Sequence, residues 1–123
     1  MKIFYHLLLS GLLLCLSSAI GAQPLTITVT DATGSVGQQA CVDLVGDDFD
    51  RVSGMQFTIN YDPDVLTFVS ATGTLNGTVV SMIQPAFAPG QIRLQWSPFS
   101  TTGFTSFDPF VFGTICFTIT QSV

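Results

Sequence analysis

From Leu25 onward, apolar and polar residues alternate in short runs cut by glycine, proline and aspartate, the period-2 pattern of strands with one buried face. Leu25, Ile27 and Val29 alternate with Thr26, Thr28 and Thr30, which predicts a first strand rich in β-branched residues. Asp31 to Gly37 reads as a turn. Ala40, Val42 and Leu44 then form the buried side of a second strand, with Cys41 and Asp43 on the opposite side. Gly46 to Asp50 reads as a loop. The clearest alternation follows it, with Met55, Phe57, Ile59 and Tyr61 pointing one way and Gln56, Thr58 and Asn60 the other. Asp62-Pro63-Asp64 stops this strand, because Pro63 has no N–H for a ladder and short Asp side chains bond nearby backbone N–H groups.

Val65, Leu66, Phe68 and Val69 open the next apolar segment, whose pattern fades from Ser70 to the turn at Asn76-Gly77. Val79 to Ile83 reads as one short strand. Pro85, Pro89 and Gly90 bracket a connection, and Ile92, Leu94 and Trp96 then alternate with Arg93 and Gln95. Ser97 to Pro109 reads as a long loop. Phe112 to Thr120 closes the chain with Ile115, Phe117 and Ile119 on one face and Thr114, Cys116 and Thr118 on the other. After the N-terminal segment no stretch sustains a helical apolar period. About seven short strands separated by turns predict an all-β fold, an antiparallel β-sandwich. The parity of Trp96 with Ile92 and Leu94 places it in the core rather than on the surface as a sugar platform. Phe99, Phe104, Phe107 and Phe110 are expected to cap the open end of the sandwich, an exposed patch being the alternative.

The N-terminal segment changes the composition that matters. Lys2, the apolar run Leu7 to Leu16 and the small residues Ser17 to Ala22 read as a secretory signal peptide over residues 1–22, its apolar core too short for a comfortable membrane span. Cys15 lies inside that run without the small residues that precede a lipid-anchored cysteine. Residues 23–123 are then one domain of a secreted or cell-surface protein, with no membrane insertion once the signal is cleaved. Cleavage also takes away Lys2 and His6, the only lysine and histidine, and leaves Arg51 and Arg93 against eight aspartates. An acidic domain with two cations cannot build the basic groove that nucleic acid or an anionic bilayer requires. Of three cysteines, Cys41 and Cys116 remain, and an even pair in an exported chain points to a disulfide. Their shared parity fits a bridge between neighbouring strands. In the chain-entropy model such a bridge stabilises by about 4 kcal/mol.

Catalytic chemistry is poorly supplied. Residues 23–123 contain no histidine, lysine or glutamate, so a nucleophile would lack its base, and an enzyme is not expected. Asp62 and Asp64 resemble a glycosidase carboxylate pair in type, but as Asp-Pro-Asp they read as turn-capping groups. Asp47, Asp48 and Asp50 offer the oxygen ligands that calcium takes, without EF-hand spacing or a terminal Glu. They read first as a solvated acidic loop. No other metal ligands and no cofactor are expected, since two thiols without histidine do not complete a zinc site.

Four segments together carry a family resemblance: Val36-Gly37, Ala40 to Leu44, Gly54 to Leu66 with its Tyr-Asp-Pro-x-Val-Leu corner, and Phe112 to Phe117. The chain resembles the cohesin domain over Leu25 to Thr120, most closely the cohesin-like modules of secreted multidomain bacterial surface proteins. The resemblance implies a jelly-roll sandwich, related to carbohydrate-binding modules, in which the strand of Cys41 neighbours the strand of Cys116. It implies a non-catalytic module for protein–protein attachment to an extracellular protein such as a dockerin. Its binding face would carry Gly54, Gln56, Thr58 and Asn60, with Arg93 and Gln95 beside them. Polysaccharide binding and a structural spacer are the alternative roles. The classical interface is rich in Asp and Asn where Gly54 and Gln56 stand here. The family also continues with two strands beyond the position of Val123, one of them in the binding sheet, so a truncated domain with open sheet edges is expected.

Overall fold

The computed structural model describes residues 25–99 and 102–122. The signal peptide expected over residues 1–22 lies outside the described residues. Among the described residues the chain forms strands and no helix: β1 (Thr26–Val29), β2 (Gln39–Asp47), β3 (Phe49–Val52), β4 (Met55–Asn60), β5 (Leu66–Leu75), β6 (Thr78–Val79), β7 (Ser81–Ile83), β8 (Gln91–Trp96), β9 (Phe104–Ser106) and β10 (Phe110–Ile119). They assemble as a five-stranded sheet in the order β1-β2-β10-β5-β6, a three-stranded sheet β4-β8-β7 and the pair β3-β9. Every pairing is antiparallel. The chain crosses repeatedly between the sheets, from β2 to β4, back to β5, and out again to β7 and β8. This is the expected antiparallel β-sandwich with jelly-roll topology.

The core fills the space between the sheets. Leu44, Ile115, Phe117, Phe112 and Leu75 come from the large sheet, and Ile92, Leu94 and Trp96 from β8, with Phe49 and Val80 beside them. Each such side chain contributes about 1.5–3 kcal/mol through burial. Trp96, 1% exposed, donates its Nε1–H to the carbonyl of Leu75 at 3.1 Å, so the largest core side chain also hydrogen-bonds across the sandwich. Cys41 and Cys116 are direct register partners on β2 and β10 and form the expected disulfide.

Four segments differ from the sequence expectation, each for a local reason. Gly46 to Asp50 is no loop. β2 runs to Asp47, the chain kinks at Asp48 with φ 57°, and β3 begins at once with Phe49, which is fully buried. Aspartate tolerates the left-handed region through local side-chain hydrogen bonding. Gly46 is required by close approach, since a Cβ there would meet the Phe110 ring at 2.7 Å and the Phe49 ring at 3.0 Å. These rings stack edge-on, 5.0 Å between centroids, in the geometry aromatic quadrupoles favour.

The fading pattern after Phe68 conceals the long strand β5. The register slips by one residue between the pairs Phe117–Phe68 and Cys116–Ser70, a bulge that leaves Val69 and Ser70 both exposed and moves the inward parity from Leu66 and Phe68 to Ala71, Gly73 and Leu75. A second slip, in β10 between Val111 and Gly113, turns Phe110 and Phe112 inward alongside Ile115 and Phe117. The Val79–Ile83 segment is two strands: β6 pairs with β5 and β7 with β8, and the chain changes sheet at buried Val80. The Asn76-Gly77 turn has φ 51° and 80°, the doubly positive pair of a type I′ hairpin. Within the expected loop Ser97–Pro109, β9 pairs with β3. The four phenylalanines divide. Phe104 and Phe110 pack with Phe49 and cap the core, whereas Phe99 and Phe107 are exposed.

A candidate interaction face on the three-stranded sheet

β4 alternates perfectly. Met55, Phe57 and Ile59 are half-buried against the core, and Gln56, Thr58 and Asn60 are exposed. Its register with β8 aligns Gln56 with Gln95, Thr58 with Arg93 and Asn60 with Gln91. The register of β7 with β8 extends the first row to Ser81 and the second to Ile83. The outer face therefore carries the rows Gln56–Gln95–Ser81 and Thr58–Arg93–Ile83, with Asn60–Gln91 below them. Five of the six residues expected on this face lie on it together. The sixth, Gly54, precedes β4 by one residue and is exposed, and a Cβ added there would lie 3.3 Å from the Trp96 carbonyl oxygen.

Beyond the six expected residues the surface takes in Gln91, Ser81, Ile83 and Phe87. Ser81 and Ile83 follow from the parity of β7 about Met82, a signal present in the sequence once the break at Val80 is recognised. Phe87 lies in the proline-bracketed connection between β7 and β8, where no periodicity marks it. The Arg93 guanidinium carbon lies 5.2 Å from the Phe87 ring centroid, within cation–π range. Ile83 and Phe87 are 61% and 77% exposed, so the cation sits between two open apolar groups. Gln95 Nε2 donates to Ser97 Oγ at 3.3 Å. Among the described residues the side chains of Gln56, Thr58 and Asn60 make no hydrogen bond. β4 pairs only with β8 among the described residues, leaving its outer edge open.

The other sites weighed from the sequence take part in the local architecture. At the Asp62-Pro63-Asp64 corner the Asp62 carboxylate accepts from Asp64 N–H at 2.9 Å, and the Asp62 carbonyl accepts from Leu66 N–H at 3.0 Å. Thr120 Oγ1 donates to the Asp64 carbonyl at 3.1 Å, tying the corner to the end of β10. Tyr61 hydrogen-bonds Gln84 through its hydroxyl. Asp47 ends β2, Asp48 is the kink, and Asp50 faces Arg51 at 3.3 Å. Among the described residues no group of three or more His, Cys, Asp or Glu side chains is placed to hold a metal ion. A groove of about 500 Å³ at one end of the sandwich is lined by Thr33, Gly34, Val36, Val65, Leu66 and Ile119 among others, with no titratable side chain.

The cohesin domain family model matches residues 25–123. The chain belongs to the cohesin domain family. No curated protein matches it in sequence. Solved structures similar to this cohesin domain include the sixth cohesin of scaffoldin B from Acetivibrio cellulolyticus, in complex with a mutant Cel5 dockerin, with a TM-score of 0.68 at 17% identity over 82% of this chain and 74% of that one. The seventh type I cohesin of ScaB from Pseudobacteroides cellulosolvens is similar with a TM-score of 0.64 at 16% identity, over 78% of this chain and 65% of that one. The cohesin module of a family 33 glycoside hydrolase from Clostridium perfringens gives 0.61 at 16% identity, over 80% and 71%. At these identities the likeness establishes the fold, and the side chains on the outer face of this cohesin are its own.

Proposed function

We propose that this cohesin domain is a non-catalytic module that attaches one extracellular protein to another through the outer face of β4-β8-β7. The observation that carries this reading is the set of in-register polar rows whose Gln56, Thr58 and Asn60 side chains bond to nothing among the described residues, beside the exposed Ile83 and Phe87. The dockerin complex of the Acetivibrio cellulolyticus cohesin supports a dockerin-like module as the partner. Residues 1–22 act as the export signal in this reading, and the Cys41–Cys116 bridge suits an oxidising compartment. The absence of histidine, lysine and glutamate from residues 23–123 supports a role without catalysis, and no cofactor is needed for it. Trp96 is buried, so the polysaccharide alternative draws no support from it.

Titration calorimetry with a panel of dockerin modules tests the proposal. A binder whose affinity for the folded chain is lost on Thr58→Arg, but kept on Thr114→Arg at the opposite outer face, is the expected result. Binders that ignore Thr58→Arg, or that are lost only on Thr114→Arg, would overturn it.

A further inference from the structure

The proposed docking face is uncharged except at one point. Across β4, β7, β8 and the connection 84–90, Arg93 is the only charged side chain. It is exposed and has no ion pair among the described residues, where the single salt bridge joins Arg51 to Asp50. Its guanidinium is held over Phe87 at 5.2 Å, and Ile83 is its register neighbour on β7. A guanidinium stacked on a ring keeps its in-plane N–H donors free, in the fork geometry that matches a carboxylate. The exposed Ile83 and Phe87 would exclude water from such a pair once covered, and a charge pair strengthens as its surroundings lose water.

The polarity of this patch is opposite to that of the molecule. The sequence carries a formal net charge of −5, and its aspartates all lie outside the three strands and their 84–90 connection. A basic partner would be drawn to the rest of the surface and repelled here. An acidic group finds its one matched position at Arg93.

We propose that the β4-β8-β7 face takes a protein partner that presents a carboxylate beside an apolar side chain, the carboxylate on Arg93 and the apolar group on Phe87 and Ile83. This rests on the reading of the face as a protein-docking surface and adds the chemistry of what docks. A second copy of the chain is the competing occupant, because Phe107 and Asp108, both exposed on the β9–β10 connection, offer the same pairing.

The test pans a random peptide library against the full chain and against Arg93→Glu in parallel. Thermal melts by circular dichroism verify that Arg93→Glu and Phe87→Ser stay folded, both positions being exposed. The expected result is a wild-type pool enriched in Asp or Glu adjacent to Leu, Ile or Phe. Its clones should lose about tenfold or more in affinity on either substitution and weaken with salt. The Arg93→Glu pool should turn to Lys and Arg. Clones without acidic enrichment that are lost on Thr58→Arg, yet indifferent to Arg93→Glu, would overturn the carboxylate assignment while leaving the docking face standing. An unenriched pool, or clones indifferent to every substitution on the face, would overturn both. Concentration-dependent dimerisation abolished by Arg93→Glu and by Asp108→Lys would overturn the proposal by giving the face to a second copy.

Discussion

The two outer faces of the sandwich are built from the same strand chemistry and spend it differently. On the five-stranded sheet, Thr114 stands between Asp43 and Thr72, and Cys116 between Cys41 and Ser70. Thr114 Oγ1 donates to Asp43 Oδ1 at 3.0 Å, the Asp43 N–H donates to Thr30 Oγ1 at 2.8 Å, and the cysteines are bridged. That face is occupied with holding its own strands together. On the three-stranded sheet, Gln56, Thr58 and Asn60 hold nothing among the described residues, and Arg93 leans only on Phe87. Groups that a fold does not use for itself are those it can offer to another molecule.

If the faces divide the work in this way, substitutions should separate stability from binding. The largest loss of stability should come from the residue both faces share. Trp96→Ala removes a wholly buried indole and its hydrogen bond to Leu75, and should cost about 3–5 kcal/mol in urea unfolding, disabling both faces together. Replacing Cys41 and Cys116 by serine should lower stability by about 2–4 kcal/mol, while leaving the affinity of the remaining folded chain for a face-selected partner unchanged. Thr114→Val, which removes one hydrogen bond from the five-stranded face, should cost about 1 kcal/mol, read as a shift in urea midpoint at constant slope, again without effect on binding. The smallest effect on stability should be Phe87→Ser, within about 0.5 kcal/mol, and it alone of these four should weaken binding selectively. A disulfide-free chain that lost its partner while still folded would erase the distinction.

How much of this was legible in the sequence depends on whether the strands were regular. β4 and β8 have no bulge, so period-2 alternation from Met55 to Asn60 and from Gln91 to Trp96 matches the inward and outward parity of both strands, which the residues expected on the candidate face follow. The parity of Cys41 and Cys116 survived for the same reason, since β2 and β10 stay in register from Gly113 to Thr118. Alternation misleads where an extra residue enters. Val69 lies at the slip in β5, so the strand beyond it reads as a fading pattern. Phe110 and Phe112 point inward on a parity different from that of Ile115 and Phe117. Asp48 misled through chemistry: a Gly-Asp-Asp-Phe-Asp stretch has loop composition, but the buried Phe49 ring on the space left by Gly46 outweighs that tendency. Phe87 was illegible in principle, because its place over Arg93 is set by the path of a proline-bracketed connection and not by any period.

The most direct measurement is the map of backbone amide chemical-shift changes in the 15N-labelled chain when a bound partner, dockerin module or selected peptide, is added. Changes concentrated at Gln56, Thr58, Asn60, Ile83, Arg93 and Gln95, with Asp43, Thr72 and Thr114 unmoved, are expected. Changes concentrated at Asp43, Thr72 and Thr114, or around the groove between Val36 and Ile119, with the β4-β8-β7 face silent, would contradict that expectation.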